Sequence, residues 1–488
     1  MFSILHISDL HRSPDDPITN AELISALIRD QERYSNEEPK ITPPQAIIVS
    51  GDIVQGVLTN ETQPEEKLKA QYRTAIEFLD KIARHFVGGD RSKVVIVPGN
   101  HDVDWNTARA SMSLVESAEM PTNLQKALFK DDSKYRWDWK QRELYKISDF
   151  EIYRRRFAAY RNFIAEFYRD VPGLLRVDAN SDVNLFELFG GRITVAAFNS
   201  CEDNDCFAFH GAIRKELIAQ TDLALAEISP NHELRIAVWH HGIEGPPYST
   251  DYMDVDIVRG MIGRGFRLGL FGHQHKAQSS PYSINLPDEE MMVIVSAGSL
   301  CAGREALPTG QKRQYNIIEL SDNLSEARIH VREMHEANLF GRALIPSWGG
   351  RSYTKLKWKL PSNAAGKPIK ANEQRRRVKV IEAEVASKRG DLATALNLLS
   401  ELQAPEGYER SLLLEIAVNA KAWNVIVQRF SVPESIAELI TLVQALIRLG
   451  RYDQAQSDLD KYGGQLQLPA PLVAEQRAQI ATEKRLRQ

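Results

Sequence analysis

Short apolar runs punctuate the start of the chain: Phe2-Ser-Ile-Leu-His-Ile7, Ala46-Ile-Ile-Val49 and Val94-Val-Ile-Val97, each giving way at once to polar residues or a Pro-Gly pair. Runs of this length, rich in β-branched and aliphatic residues, are what strands buried on both faces require. Between them, residues 20–34 (Ala21, Leu23, Ile24, Leu27, Ile28) and 66–86 (Leu68, Tyr72, Ile76, Leu79, Ile82, Phe86) carry helical spacing. The first third is therefore predicted to run strand, helix, strand, helix, strand.

Further strands are predicted at 193–198, 235–239, 268–271, 291–296, 315–320 and 327–331, the last two joined by Ser321-Asp-Asn323 as an antiparallel hairpin. This mixture predicts an α/β fold in which a two-sheet β-sandwich is flanked by helices. Between 103 and 190 the pattern turns helix-rich and dense in aromatics and arginines. Phe150, Tyr153, Phe157, Tyr160, Ile164 and Phe167 step by three and four, a stripe read as core packing. Arg154, Arg155, Arg156, Arg161 and Arg169 lie off that stripe, with Lys134, Arg136, Lys140, Arg142 and Lys146 just before it. The segment is thus expected to be a helical, locally basic insertion.

Residues 341–372 are rich in proline and glycine and read as a linker or strap between a first domain at 1–340 and an α-helical domain at 373–488. In the latter, Gly390-Asp-Leu-Ala-Thr-Ala395, Lys421-Ala-Trp-Asn-Val-Ile426 and Gly450-Arg-Tyr-Asp-Gln-Ala455 start 31 and 29 residues apart. The first and third resemble the start of the second helix in tetratricopeptide-type repeats; the middle one lacks both the Gly and the Ala. An array of α-hairpins implies a protein partner bound on its surface.

Composition narrows the function. With 61 Lys+Arg against 65 Asp+Glu, the net charge of −4 gives no global attraction to nucleic acid or anionic lipid, so any polyanion must be met by a local patch. No stretch reaches the roughly 18 apolar residues of a membrane span. The first residues carry no leader signature, and three cysteines suit a reducing compartment, so a cytoplasmic location without membrane association is expected.

Five short motifs follow strand-like runs: Asp9-Leu-His11, Gly51-Asp52, Gly99-Asn-His-Asp102, His240-His241-Gly242 and Gly272-His-Gln-His275. Each alone is a common turn or loop. Recurring at strand ends, they deliver carboxylate, amide and imidazole donors to one rim, a set that suits first-row divalent ions.

The five in this order closely resemble the calcineurin-like metallophosphoesterase superfamily, whose pattern is D-x-H, G-D, G-N-H-D or G-N-H-E, H, then G-H-x-H. The resemblance covers roughly residues 1–335 and fills every ligand position. It implies two divalent metal ions, manganese first, with iron, zinc or nickel as alternatives. Asp9, His11 and His275 would hold one ion, Asn100, His240 and His273 the other, and Asp52 would bridge them. His101 would stand beside the scissile phosphate and stabilise charge or protonate the leaving oxygen, with Asp102 orienting it from behind. His240 and His241 compete for one ligand position. His240 directly follows its strand, as the family ligand does, which leaves His241 either facing substrate or supporting the ligands from behind.

Serine/threonine phosphatases of the superfamily follow their Gly-Asp with Asp-Arg-Gly. Here the chain reads Gly51-Asp-Ile-Val-Gln-Gly56, which looks more like the phosphodiesterase branch. Asn199-Ser200 and Ser296-Ala-Gly-Ser299 resemble the cyclic-nucleotide members. The basic insertion, with Arg154, Arg155 and Arg161 able to track a phosphate backbone, tips the expectation toward a nuclease on DNA or RNA. A small-molecule, nucleotide-derived phosphodiesterase and a partner-recruiting scaffold are the alternatives.

Overall fold

The computed structural model describes the chain apart from residues 129–132, 172–174, 177–182, 229–231, 244–250, 281–290, 304–306, 309, 361–375, 377–378, 381, 385, 388, 403–404, 406, 467 and 487–488. It divides into two compact units, Met1–Lys367 and Pro368–Gln488.

In the first unit β1 (Phe2–Ile7), β2 (Ala46–Ser50) and β3 (Val94–Val97) run parallel, linked by helices Asn20–Gln31 and Pro64–Val87. The first helix starts at a capping box, Thr19 receiving the Glu22 amide while Glu22 reaches back; the second has Pro64 in its first turn and ends at Gly88 in the left-handed region. The insertion carries β4 (Met112–Leu114), β5 (Tyr135–Asp138) and β6 (Glu143–Ile147). A second sheet is formed by β7 (Leu175–Arg176), β8 (Asn184–Leu188), β9 (Ile193–Ala197), β10 (Leu234–Val238), β11 (Phe266–Phe271), β12 (Gln278–Ser280) and β13 (Val293–Ser296). The chain then returns as β14 (Gln314–Leu320), β15 (Glu326–Met334), β16 (Phe340–Arg342) and β17 (Tyr353–Lys357).

One seven-stranded sheet has the order β16-β15-β14-β1-β2-β3, with β17 alongside β15; the other runs β12-β13-β11-β10-β9-β8-β7. Alternation on β10 shows how they stack. Leu234, Ile236 and Val238 face the core shared with Ile4, Val49 and Val95, whereas Ala237 and Trp239 face helices Lys215–Ile228 and Val255–Ile262. The expected β-sandwich flanked by helices is this architecture.

Two expectations need correction. The insertion is not purely helical, because β4, β6 and β5 form an antiparallel sheet. Its hairpin turns at Asp138, whose carboxylate accepts the Lys140 and Gln141 amides, with Arg142 in the left-handed region. The aromatic stripe does pack inward: Tyr153, Phe157, Tyr160, Ile164 and Phe167 are buried, Phe150 half-exposed. The segment from residue 341, read as a linker or strap, also joins the sheet: β16 completes at Arg342 and β17 pairs with β15, burying Leu356 and Trp358 while Lys355, Lys357 and Lys359 are exposed, as the alternation of Lys355-Leu-Lys-Trp-Lys359 leads one to expect of an edge strand.

The second unit is all-helical. Helices Leu392–Ser400, Gly407–Asn419, Trp423–Arg429, Ile436–Arg448, Tyr452–Gln465 and Ala470–Leu486 each pack on the next around Leu399, Leu413, Ile426, Leu446 and Leu459. The three recurring segments lead into helices at Leu392, Trp423 and Tyr452 through Gly390 (φ 80°), Lys421 (φ 53°) and Gly450 (φ 73°). Lys421 thus adopts the left-handed conformation that glycine supplies in the other two. Among the described residues, no helix is long and apolar enough to cross a membrane.

Candidate metal centre

The C-terminal ends of parallel strands β1, β2 and β3 in one sheet, and β10 and β11 in the other, meet along one rim, the usual place for a site in an open α/β sheet. Asp9 N–H donates to the Gly51 carbonyl (3.1 Å) and His11 N–H to the Asp52 carbonyl (2.9 Å), which locks the first two loops together. The sheets are joined where His240 Nδ1 meets the Ser50 carbonyl at 2.8 Å. Asp9, His11, Asp52, His273 and His275 all have positive φ, between 43° and 69°. Side chains rarely adopt that backbone without a compensating role, and here it turns five donors into one space.

Two clusters result. Asp9, His11, Asp52 and His275 bring one ligand atom each within 4.8 Å of the others and could hold a metal ion. His11 Nε2 and His275 Nε2 are 3.2 Å apart, His275 Nε2 lies 3.2 Å from Asp9 Oδ1, and His11 Nε2 lies 3.6 Å from Asp52 Oδ2. The second cluster gathers Asn100, His240, His273 and the other oxygen of Asp52. His240 Nε2 is 3.0 Å from Asn100 Oδ1 and 3.4 Å from Asp52 Oδ1, and His273 Nδ1 is 3.1 Å from Asn100 Oδ1 and 3.3 Å from His240 Nε2. Donors sharing one ion at about 2.1 Å are separated by about 3.0–3.4 Å, the spacing seen in the second cluster.

Tautomers sharpen the point. The Ser50 carbonyl can only accept, so His240 carries its proton on Nδ1 and leaves Nε2 as a lone pair. His273 donates from Nε2 to Asp251 (3.3 Å), leaving Nδ1 bare. With Asn100 Oδ1, three lone pairs then converge without a proton between them, an arrangement that a cation resolves. The surrounding charge favours a cation here in any form: burial alone would lower His240, but Asp52 and Asp9 raise it to about 9, so without an ion a proton on Nε2 takes the place a metal would occupy. Burial pushes the Asp52 carboxyl up, and His240, His101 and His11 outweigh that and hold it well below the usual carboxylate range.

His241 is built differently. Ser200 Oγ accepts the amides of His240 (3.1 Å) and His241 (3.2 Å), so its own hydroxyl donates to His241 Nδ1 at 2.9 Å. The ring proton therefore sits on Nε2, a buried atom without a hydrogen-bond partner among the described residues. His101 Nδ1 donates to the Gln55 carbonyl (2.6 Å), and its Nε2 lies 4.0 Å from Asp52 Oδ2.

The expectation that Asp102 orients the His101 imidazole is not met. The Asp102 carboxylate accepts the Gly99 and Ile53 amides (2.8 and 3.1 Å) and the Tyr72 hydroxyl (3.0 Å), so it ties the 99–102 turn to the strand carrying Asp52. Burial and the nearby Asp52 charge raise it to about 7. The arginines of the insertion also divide. Arg156 is buried and caps the Asn204 and Tyr153 carbonyls, and Arg136 is clamped on Asp205. Arg154, Arg155 and Arg161 are exposed, Arg154 pairing with Glu151 at 2.8 Å. Sequence reasoning missed Ser50, Gln55 and Asp251, which set ring tautomers. Ser50 and Gln55 flank the Gly51-Asp52 motif, whereas Asp251 has no local signature.

Sandwich, rim and paired donor clusters together define a metal-dependent phosphoesterase. Residues 2–277 match the family described as calcineurin-like phosphoesterase, and the chain belongs to that family. Among solved structures, it is similar to a dimetal phosphatase from Danio rerio (12% identity, TM-score 0.35, covering 73% of this chain and 99% of that one). It is also similar to the calcineurin-like phosphoesterase YfkN from Bacillus subtilis (11%, TM-score 0.26, 81% and 98%) and to a Vps29 single mutant from Entamoeba histolytica (10%, TM-score 0.24, 73% and 100%). No curated protein matches the chain.

Proposed function

We propose that the protein is a dinuclear-metal phosphodiesterase in which Asp9, His11 and His275 hold one ion, Asn100, His240 and His273 hold the other, and Asp52 bridges them. The observation that carries this reading is the convergence of imidazole and amide ligand atoms on the two oxygens of one buried carboxylate. The imidazole, carboxylate and amide donors suit manganese, iron, zinc or nickel. When bound, such ions supply Lewis acidity toward the phosphoryl oxygens and acidify water. His101, fixed through Nδ1 on the Gln55 carbonyl, presents Nε2 to the rim, where the imidazolium form can pass its Nε2 proton to the departing oxygen and be left neutral. His241 stays outside the ligand set because its Nδ1 is taken by Ser200.

A diester fits better than a monoester. Where the phosphatases place an arginine, this chain continues Ile53-Val54-Gln55, and Arg12 is buried beneath the rim on Cys301, Ile18 and Asp16. With Arg136 and Arg156 consumed in packing, a small organic phosphodiester is the favoured substrate class. A nuclease is the second reading, supported by the hairpin tip where Trp139, 78% exposed, stands beside Lys140 and Arg142. In either reading, the helical unit is proposed to recruit a protein partner.

The test is hydrolysis of bis(p-nitrophenyl) phosphate, the monoester p-nitrophenyl phosphate, cyclic nucleotides, RNA, and single- and double-stranded DNA side by side with Mn²⁺, with Asp52→Asn as the blank. Turnover of small diesters lost in the variant supports the favoured reading; polynucleotide cleavage alone establishes the nuclease; hydrolysis of monoesters alone refutes both.

A further inference from the structure

His101 is shared between the metal rim and a cavity of about 360 Å³ that opens on its far side. The cavity is lined by the loop after β1, carrying Asp15, the loop after Asp52, carrying Val57 and Leu58, the first turns of helix Pro64–Val87, and Trp105. Its volume is at the small end of the roughly 300–1,000 Å³ typical of small-molecule sites, enough for one arm of a substrate and not for a polymer. Because it begins at the residue placed to protonate the leaving oxygen, its occupant would be the departing arm.

Its charges are asymmetric. Among the described lining residues the acidic groups are Asp15 and Glu61 and the basic ones are His101, at the rim end, and Lys67, whose ammonium lies 2.7 Å from Glu61 Oε2. Glu61 is itself held, its other oxygen accepting the Leu58 amide at 3.0 Å. The lining lysine is thus already neutralised, and away from the His101 end Asp15, exposed, is left as the carboxylate without a partner ammonium in the lining, over walls of Val57, Leu58 and Trp105. A second phosphate on the departing arm would meet carboxylates with no free ammonium to receive it.

We infer that this cavity is the leaving-group subsite, and that it selects phosphodiesters whose departing arm is uncharged or cationic and of nucleoside size or smaller, rejecting arms with a further phosphate. The inference rests on the phosphodiesterase reading above and adds its substrate class.

The full-length chain, loaded with Mn²⁺, is assayed on bis(p-nitrophenyl) phosphate, on the dinucleoside monophosphate ApA, and on ApA phosphorylated at its 5′ or its 3′ end. Wild type should cleave ApA with a kcat/KM roughly tenfold above the form phosphorylated on the departing nucleoside, the effect of a like charge about 6 Å away in a half-solvated site. Asp15→Lys should reduce that ratio at least about fivefold, a comparison that is internal to the variant and independent of how much enzyme is folded. Cleavage of all substrates with a ratio near one, or a ratio unmoved by Asp15→Lys, overturns the subsite and leaves the phosphodiesterase reading standing. Failure to hydrolyse even bis(p-nitrophenyl) phosphate overturns both.

Discussion

Gly51 sits between β2 and Asp52 at φ 98°, and a Cβ placed on it would fall inside the His240 imidazole. Gly51→Ala therefore combines two penalties. Holding alanine in that backbone region costs about 1–3 kcal/mol, and forcing a methyl into a closed contact adds about 1–3 kcal/mol. Together these are a large part of the roughly 5–15 kcal/mol that stabilises a domain, so the variant should relax by displacing His240. Because His240 Nδ1 is anchored on the Ser50 carbonyl, the ring cannot retreat without losing that bond and its place beside Asn100. The Asp9, His11 and His275 cluster lies on other loops and should persist. Elemental analysis after gel filtration should fall from two ions per chain to one, and kcat on bis(p-nitrophenyl) phosphate by about a thousandfold, as expected when several kcal/mol of electrostatic stabilisation go. A folded Gly51→Ala protein that keeps two ions and turns over within twofold of wild type would refute this account of the rim.

Three further outcomes are expected. His240→Ala should lose one ion, whereas His241→Ala should keep both, as measured by metal content; the reverse pattern would contradict the tautomers assigned through Ser50 and Ser200. Asp30, fully buried, accepts the Tyr315 hydroxyl (2.6 Å), both Arg332 Nε (2.7 Å) and Nη2 (2.6 Å), and Arg33 Nη2 (2.9 Å), so Asp30→Ala removes four bonds and strips Arg332 of a buried partner. That should cost about 3–5 kcal/mol and lower Tm by about 4–7 °C for a unit of this size; a drop under about 1 °C would show that the network is not structural. Asp102→Ala, which orphans the Gly99 and Ile53 amides, should destabilise by about 2–4 kcal/mol, read by urea melts, while Asp102→Asn should recover most of that loss; an unchanged melt for the alanine variant would count against its role as a tie.

The site was legible because its donors follow strands at short, fixed offsets: Asp9 and His11 after β1, Asp52 after β2, Asn100 and His101 after β3, His240 after β10, and His273 and His275 after β11. Strand ends are local in sequence, so a run of aliphatic residues followed by Asp, Asn or His announces them. What binds those donors in the right orientation is not local. Ser200 acts on His240 and His241 from forty residues away, and Asp251 reaches His273 from a loop whose sequence carries no pattern. The two-sheet architecture was readable from strand spacing, but β5 and β6 were not, since Tyr135–Asp138 and Glu143–Ile147 mix charged and aromatic residues as a helix surface does. The roles of Arg136 and Arg156 were hidden for a related reason. An arginine capping buried carbonyls and one awaiting a phosphate look alike until Asp205 and Asn204 are brought beside them. Asp102 likewise reads as a partner for its neighbour His101, and only the fold reveals the Ile53 amide as the group it holds.

The central claim is that Asp52 bridges two ions with His240, and not His241, in the ligand set. Anomalous diffraction from crystals of the full chain grown with Mn²⁺ tests it most directly. The account predicts two peaks, one beside Asp9, His11 and His275 and one beside Asn100, His240 and His273, with one Asp52 oxygen on each. A single peak, or a second ion held by His241 Nε2, would contradict it.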